Sequence, residues 1–103
     1  MIHILADRHD GFYTALTIKG HAESAEYGQD LVCAGVSSIA FGLCNALSDL
    51  AGLETIQAAN NMISIRCEEQ NDLVQVILET GIIQFRTVAM SYADYIDIQI
   101  TEV

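Results

Sequence analysis

A run of apolar residues at helical spacing, from Val32 to Leu50, constrains the fold of this chain more than any other feature. The apolar side chains recur at intervals of three and four residues, so they share one face of a helix. The stripe consists of Val32, Val36, Ile39, Leu43, Leu47 and Leu50. Asp30 is a good N-cap and Gly52 a good C-terminal stop, so the spacing predicts a helix from Asp30 to about Ala51 that buries this stripe.

The remaining elements are predicted from period-two and helical patterns and from the turn signal Asp10-Gly11. They are strands over 2–7, 12–19 and 95–103, either a hairpin or one long bent strand over 54–67, and a second helix over 71–92. The order ββαβ(β)αβ predicts an α+β fold, an α/β sandwich of two helices on a mostly antiparallel or mixed sheet. At 103 residues we expect a single domain, 1–103.

Composition limits the classes of partner. The formal net charge of −10 argues against direct nucleic-acid binding and suits a basic partner, although solubility alone explains it equally well. Hydrophobic residues make up 51% of the chain, which exceeds what a small core absorbs and favours a homodimer. No basic stretch precedes an apolar one and no uninterrupted apolar run reaches about 18 residues, so neither a signal peptide nor a membrane span is expected.

Two residues able to transfer a proton or attack a carbonyl lie at the ends of one segment, 20–37. Gly20 and His21 open a predicted loop, 21–29, in which Gly28 is the last small residue. Cys33 then falls in the first turn of the predicted helix, at the edge of its apolar stripe. Glycines at both ends of such a loop allow backbone angles that other residues avoid, as lid loops require.

This segment resembles the signature of the ribosomal-processing cysteine protease family, Prp. The signature is Gly-His-Ala, five variable residues, then Gly-x-Asp-x-Val-Cys-Ala-x-Val-Ser. Its ten fixed positions are filled by Gly20, His21, Ala22, Gly28, Asp30, Val32, Cys33, Ala34, Val36 and Ser37. The resemblance implies a cytoplasmic bacterial cysteine endopeptidase that removes the N-terminal extension of a large-subunit ribosomal protein, the twenty-seventh. It also implies a His21–Cys33 dyad, a homodimer, a loop that covers the site, and neither metal nor cofactor.

A thiol reacts as the thiolate, so a catalytic cysteine needs a source of activation. The helix dipole contributes about 0.3–1 kcal/mol at a surface site, less than the roughly 1.4 kcal/mol that shifts a pKa by one unit. The charge of Asp30 at the same helix end opposes even that. A histidine that accepts the thiol proton supplies the remainder, and His21 is the candidate.

The predicted first helical turn offers further groups. The backbone amides of Leu31, Val32 and Cys33 are candidates to stabilise an oxyanion, because the first amides of a helix have no partner within it. Asp30 either caps the helix or orients the histidine. Ser37, one turn after the cysteine, either contacts the sulfur or substrate or is a small packing residue.

Two alternatives use the same residues. One is a non-catalytic module that binds the basic tail of a ribosomal protein. The other is a metal site formed by His21, Asp30 and Cys33, for which a fourth ligand is not evident. Cys44 and Cys67 belong to no motif and are expected to be packing residues. Three cysteines with no Cys-x-x-Cys spacing favour a reducing compartment such as the cytoplasm.

Overall fold

The computed structural model describes residues 1–20, 27–69 and 71–103. Within these ranges the elements follow the order ββαββαβ. They are β1 (Ile2–His9), β2 (Phe12–Lys19), α1 (Tyr27–Ala51), β3 (Ile56–Ala59), β4 (Met62–Arg66), α2 (Asp72–Ser91) and β5 (Ile96–Glu102). The predicted α+β class is confirmed, and the segment 54–67 is a hairpin rather than one bent strand.

The described strands form a mixed sheet in the order β3-β4-β2-β1-β5. The pairs β3–β4, β4–β2 and β2–β1 are antiparallel, whereas β5 lies parallel to β1. Parallel neighbours need a long crossover connection, and α2 lies in the connection that leads to β5. The two edges of this sheet are β5 and β3, and β3 is the shortest of the described strands.

Both hairpins turn through residues with positive φ. Asp10 and Gly11 have φ of 49° and 83°, which confirms the predicted tight turn between β1 and β2. Asn61, between β3 and β4, has φ of 59°. Asparagine tolerates this conformation better than most residues, because its short polar side chain bonds locally. Both turns therefore contain residue types that tolerate positive φ.

Helix α1 begins at Tyr27, so the predicted start at Asp30 was wrong. Asp30 lies within the helix instead of capping it, and its side chain is outside the described part of the structure. Cys33 becomes the seventh residue of the helix, in its second turn, instead of the third. The apolar stripe does not indicate this earlier start of the helix, because it begins at Val32 and the residues before it show no helical periodicity.

The two helices pack on one face of the sheet and share a single core with it. The buried face of α1 is formed by Val32, Val36, Ala40, Leu43 and Leu47. Leu50 was predicted to belong to the buried stripe, but it is 67% exposed, and Ile39 is only partly buried. Burial of the stripe therefore stops short of the helix end. Ala40, predicted in the neighbouring row, takes a place in the core.

Helix α2 begins as predicted and approaches α1 closely. Asn71 caps it, because its Oδ1 accepts hydrogen bonds from the amides of Leu73 at 3.0 Å and Val74 at 3.2 Å. A Cβ built on Gly81 would lie 2.7 Å from Cδ2 of Leu43 on α1. The missing side chain of Gly81 thus lets the two helices approach each other.

Both helices are more apolar than their packing on the sheet requires. By length and composition alone, Leu31–Ala51 and Asp72–Ser91 are long and apolar enough to cross a membrane, a test that a core helix also passes. In this fold each helix contributes core residues, but only 28% and 33% of the two apolar windows are buried. Much apolar helix surface therefore faces outwards, which agrees with the excess of hydrophobic residues noted in the composition.

Candidate active site

A groove of about 410 Å³ opens between α1 and the end of the sheet where β2 ends and β4 begins. Its volume is in the range of ligand sites, roughly 300–1,000 Å³. The helix lines it with Cys33, Val36, Ser37, Ala40 and Phe41, and the sheet with Ile2, Ile18, Gly20, Ala58, Ala59, Asn61, Met62 and Ile63. The groove therefore contains the candidate nucleophile and the residue that precedes the candidate base.

Cys33 lies on a ridge of side chains that follows the groove along α1. Ser37 and Phe41 come four and eight residues later, and residues at this spacing form a continuous ridge on a helix. The side chain of Cys33 is half-buried, neither in the core nor fully in solvent. This confirms its predicted position at the edge of the buried stripe and makes it a wall of the groove.

Gly20 ends the opening hairpin in a conformation that only glycine fits there. Its φ is +85°, and a Cβ at this position would lie 2.5 Å from the carbonyl oxygen of Met1. Its amide donates a hydrogen bond of 3.0 Å to the carbonyl of Asn61 in the β3–β4 turn. The chain is thus fixed at the groove immediately before His21, a residue that lies outside the described residues.

Replacing Gly20 with Ala is expected to reduce the free energy of unfolding by about 1–3 kcal/mol, because the backbone must leave its strained angles or move the Met1 carbonyl. Denaturant unfolding measures this loss. Gly11→Ala is the matched control, since Gly11 also has positive φ, +83°, but no atom within 4 Å of the added carbon. An equal loss in both variants would contradict a crowding effect at Gly20.

The proposed oxyanion donors are affected by the new helix start. In a helix that begins at Tyr27, the amides of Leu31, Val32 and Cys33 each follow a helical residue by four positions. That is the spacing of α-helical hydrogen bonds, so these amides are no longer in the turn whose donors lack partners. The described part of α1 therefore contradicts the basis on which these amides were predicted to be oxyanion donors.

The same change weakens the helix dipole as a source of thiol activation. The influence of the dipole falls off within the first turn of a helix, and Cys33 is in the second turn of α1. A base near the sulfur becomes correspondingly more important. Of the remaining predicted residues, Ser37 and Gly20 line the groove. Gly28 lies within α1, so the predicted extension of the loop to residue 29 was wrong, and the side chain of Asp30 lies outside what the structure describes.

The other two cysteines have the surroundings of packing residues, as predicted. Cys44 is half-buried on α1, and burial raises the pKa of its thiol. Cys67 is 5% exposed just beyond β4, and its Sγ donates a hydrogen bond of 2.9 Å to the carbonyl of Glu69. Burial also raises the pKa of the Cys67 thiol. Neither thiol lines the groove.

Residues of the hairpin β3–β4 were missed by the sequence analysis. Asn61 and Met62 line the groove because β4 pairs with β2, which sets Met62 opposite Lys19. No local pattern reveals a contact between segments so far apart in sequence. Phe41 was also missed, although its spacing of eight residues from Cys33 placed it on the same ridge.

The described lining of the groove contains no charged side chain. The described part of the groove is therefore mainly apolar. Within the described residues no group of three His, Cys, Asp or Glu is arranged to hold a metal ion. The predicted alternative set of His21, Asp30 and Cys33 falls partly outside that range and stays a prediction.

A half-buried thiol on the wall of an open apolar groove, on a helix packed against a mixed sheet, defines a candidate thiol-dependent hydrolase that acts on an extended substrate. Comparison with known proteins identifies the family. The family model described as "Cysteine protease Prp" matches residues 1–97. The chain therefore belongs to the Prp family of cysteine proteases, and it is a cysteine protease of the ribosomal-processing class.

Individual relatives agree with this assignment. The chain is 31% identical over 91 residues to the ribosomal processing cysteine protease Prp of Staphylococcus aureus, covering 84% of this chain and 86% of that protein. The Bacillus subtilis protein of the same name is 50% identical over 48 residues, which is 47% of this chain and 43% of that protein. The crystal structure of the S. aureus protease with a substrate peptide superposes with a TM-score of 0.89 at 31% identity, covering 98% and 100% of the two chains.

Proposed function

We propose that this protease removes the N-terminal extension of a bacterial large-subunit ribosomal protein, the twenty-seventh, with His21 and Cys33 as its catalytic dyad. The observation that carries the proposal is the shared groove: Cys33 forms one wall, and the opposite wall includes Gly20, the residue next to His21. The names of the relatives support a ribosomal substrate. The S. aureus protease has been crystallised with a substrate peptide and with a covalently linked product peptide.

The proposed mechanism follows from these positions. The peptide lies extended in the groove, and closure of the segment between Gly20 and α1 brings the imidazole of His21 to the sulfur of Cys33. The imidazole accepts the thiol proton, and the thiolate attacks the scissile carbonyl. The imidazolium then protonates the leaving amine, and water, deprotonated by the same histidine, hydrolyses the thioester. Assembly of the dyad on closure protects other proteins from cleavage.

The supporting residues have narrower roles in this proposal. Gly20 allows the chain to turn where the loop begins, and Ser37 contacts the substrate one helical turn beyond the sulfur. Asp30 orients the imidazole, since the helix start at Tyr27 removes its alternative role as N-cap.

The negative charge of the protein favours a basic substrate, but the described groove lining has no charged side chain that would bind one. The net charge of −10 attracts a cationic ribosomal protein and speeds encounter, whereas the described groove lining is neutral. We therefore place the contacts to basic residues of the substrate outside the groove. The expected location is the bacterial cytoplasm, where ribosomal proteins are made and thiols stay reduced.

We also propose that the protease is a homodimer that covers the outer face of α2. Leu73, Val76 and Ile83 repeat there at spacings of three and seven and are 46%, 63% and 51% exposed. Thr80 and Thr87 complete the stripe, and each hydroxyl donates to the carbonyl four residues earlier, which leaves the methyl groups outward. A second groove, about 490 Å³, lies beside this stripe between the helices. Sedimentation that shows only monomer at micromolar concentration would contradict the dimer.

The substrate proposal is tested by incubating the protease with the same organism's ribosomal protein carrying its N-terminal extension. Mass spectrometry should find two fragments whose masses sum to that of the substrate plus one water, with the cut near the N-terminus. The same protein without its extension is the control and should keep its mass. Intact substrate after prolonged incubation with stoichiometric protease would refute the assignment.

A further inference from the structure

The groove extends beyond Cys33 to an apolar end that the reaction itself does not use. Two large apolar side chains line the groove yet remain well exposed, Phe41 at 58% and Met62 at 42%. Exposed apolar side chains of this size inside a concave site are typical of ligand contacts. The small residues Ala40, Ala58 and Ala59 line the groove as well and leave space in it.

The distance between the sulfur-bearing residue and Phe41 follows from helix geometry. Eight residues separate them, and at about 1.5 Å per residue they lie about 12 Å apart along the helix axis. An extended peptide covers about 3.3–3.6 Å per residue. A substrate that follows the ridge from Cys33 therefore reaches Phe41 three to four residues away from its scissile bond.

The opposite wall favours an extended substrate. Ala58 and Ala59 both line the groove, although successive side chains of a strand point to opposite faces of the sheet. The groove therefore lies against the end of β3, the edge strand of the described sheet. Backbone groups on the outer side of an edge strand are available to pair with an extended peptide.

We propose that Phe41 is a specificity-determining residue, which binds a large apolar side chain of the substrate three to four residues from the scissile bond. This inference rests on the proposed peptidase activity, because the position is counted from the bond that is cut. The groove lining that the structure describes around Phe41 carries no charge, so selection at this point depends on apolar contact. Discrimination by such contacts amounts to roughly 10–200-fold in kcat/KM.

The test uses synthetic peptides of the N-terminal extension in which each residue in turn is replaced by Ser. With the unmodified protease, kcat/KM should fall about tenfold or more when the apolar residue three or four positions from the cut is replaced. Phe41→Ala should lower kcat/KM for the parent peptide by a similar factor and should erase the difference between the two peptides. Phe41→Leu should restore part of the selectivity. Leu50→Ala, on the same helix and 67% exposed, is the control and should leave both values unchanged.

Each result separates this inference from the proposed function. Cleavage by Phe41→Ala with unchanged selectivity at that position overturns the role of Phe41 and leaves the peptidase assignment standing. The same holds if Met62→Ala, and not Phe41→Ala, removes the selectivity. If the unmodified protease cuts none of the peptides, the proposed function fails, and the position counted from the cut falls with it.

Discussion

Cys33→Ala is expected to lower the rate of peptide cleavage at least about a thousandfold, because no other thiol lines the described groove. His21→Ala should lose a comparable factor if the imidazole accepts the thiol proton. Both substitutions remove few atoms, and Cys33 is only half-buried, so the fold should persist. The measurements are single-turnover cleavage of the ribosomal substrate and far-UV circular dichroism of each variant.

Cys44→Ala is the matched control, because Cys44 is also a half-buried cysteine on α1 but lies away from the groove. It should cleave at the rate of the unmodified protease. Full activity in Cys33→Ala, or in His21→Ala, would refute the dyad.

Thiol alkylation distinguishes a protease from a module that only binds peptides. Burial raises the pKa of the Cys44 and Cys67 thiols, so at neutral pH both contain less thiolate and should alkylate slowly. Cys33 should alkylate fastest, and a substrate peptide should change its rate. Equal rates at the three cysteines, together with tight peptide binding and no cleavage, would favour the binding module.

Phe85→Ala is expected to cost about 3–5 kcal/mol of the free energy of unfolding. The ring of Phe85 is 0% exposed at the centre of the core, and its removal loses apolar burial and leaves a cavity. Domains of this size are stable by only about 5–15 kcal/mol, so the variant should unfold at a much lower denaturant concentration. Urea unfolding at one fixed protein concentration measures the loss and keeps any contribution of dimer formation constant.

Leu50→Ala serves as the control, because Leu50 is a large apolar side chain on α1, away from the proposed dimer face, and is 67% exposed. Its effect should stay within about 0.5 kcal/mol, as for most surface substitutions. A loss of less than about 1 kcal/mol in Phe85→Ala would mean that the ring is not packed as the structure has it.

The sequence predicted correctly those parts of the fold that depend on residues close together in the chain. The Asp10-Gly11 turn and the Asn71 cap depend on two to four adjacent residues, and both are present. The start of α1 was mispredicted, because a good capping residue at Asp30 stood nearer to the apolar stripe than the true start at Tyr27. Leu50 was mispredicted because periodicity shows which side chains share a face, and not how far along the helix that face is covered.

Some residues of the candidate site could likewise be predicted from the sequence, whereas others could be found only in the structure. The signature residues His21 and Cys33 stood out in the sequence, because chemistry-bearing side chains at fixed spacing form a local pattern. Met62 and Asn61 reach the groove through the pairing of β4 with β2, which joins segments more than 40 residues apart and leaves no mark in either.

By itself the sequence determined the elements and their order, the family, and the position of one thiol at the margin of a buried helix face. The tertiary structure alone decided the strand order, the side of Gly81 that meets a neighbour, and the apolar end of the groove at Phe41. The reason is physical: periodicity and turn chemistry act between residues close along the chain, whereas a groove is formed by surfaces that meet only when distant segments pack.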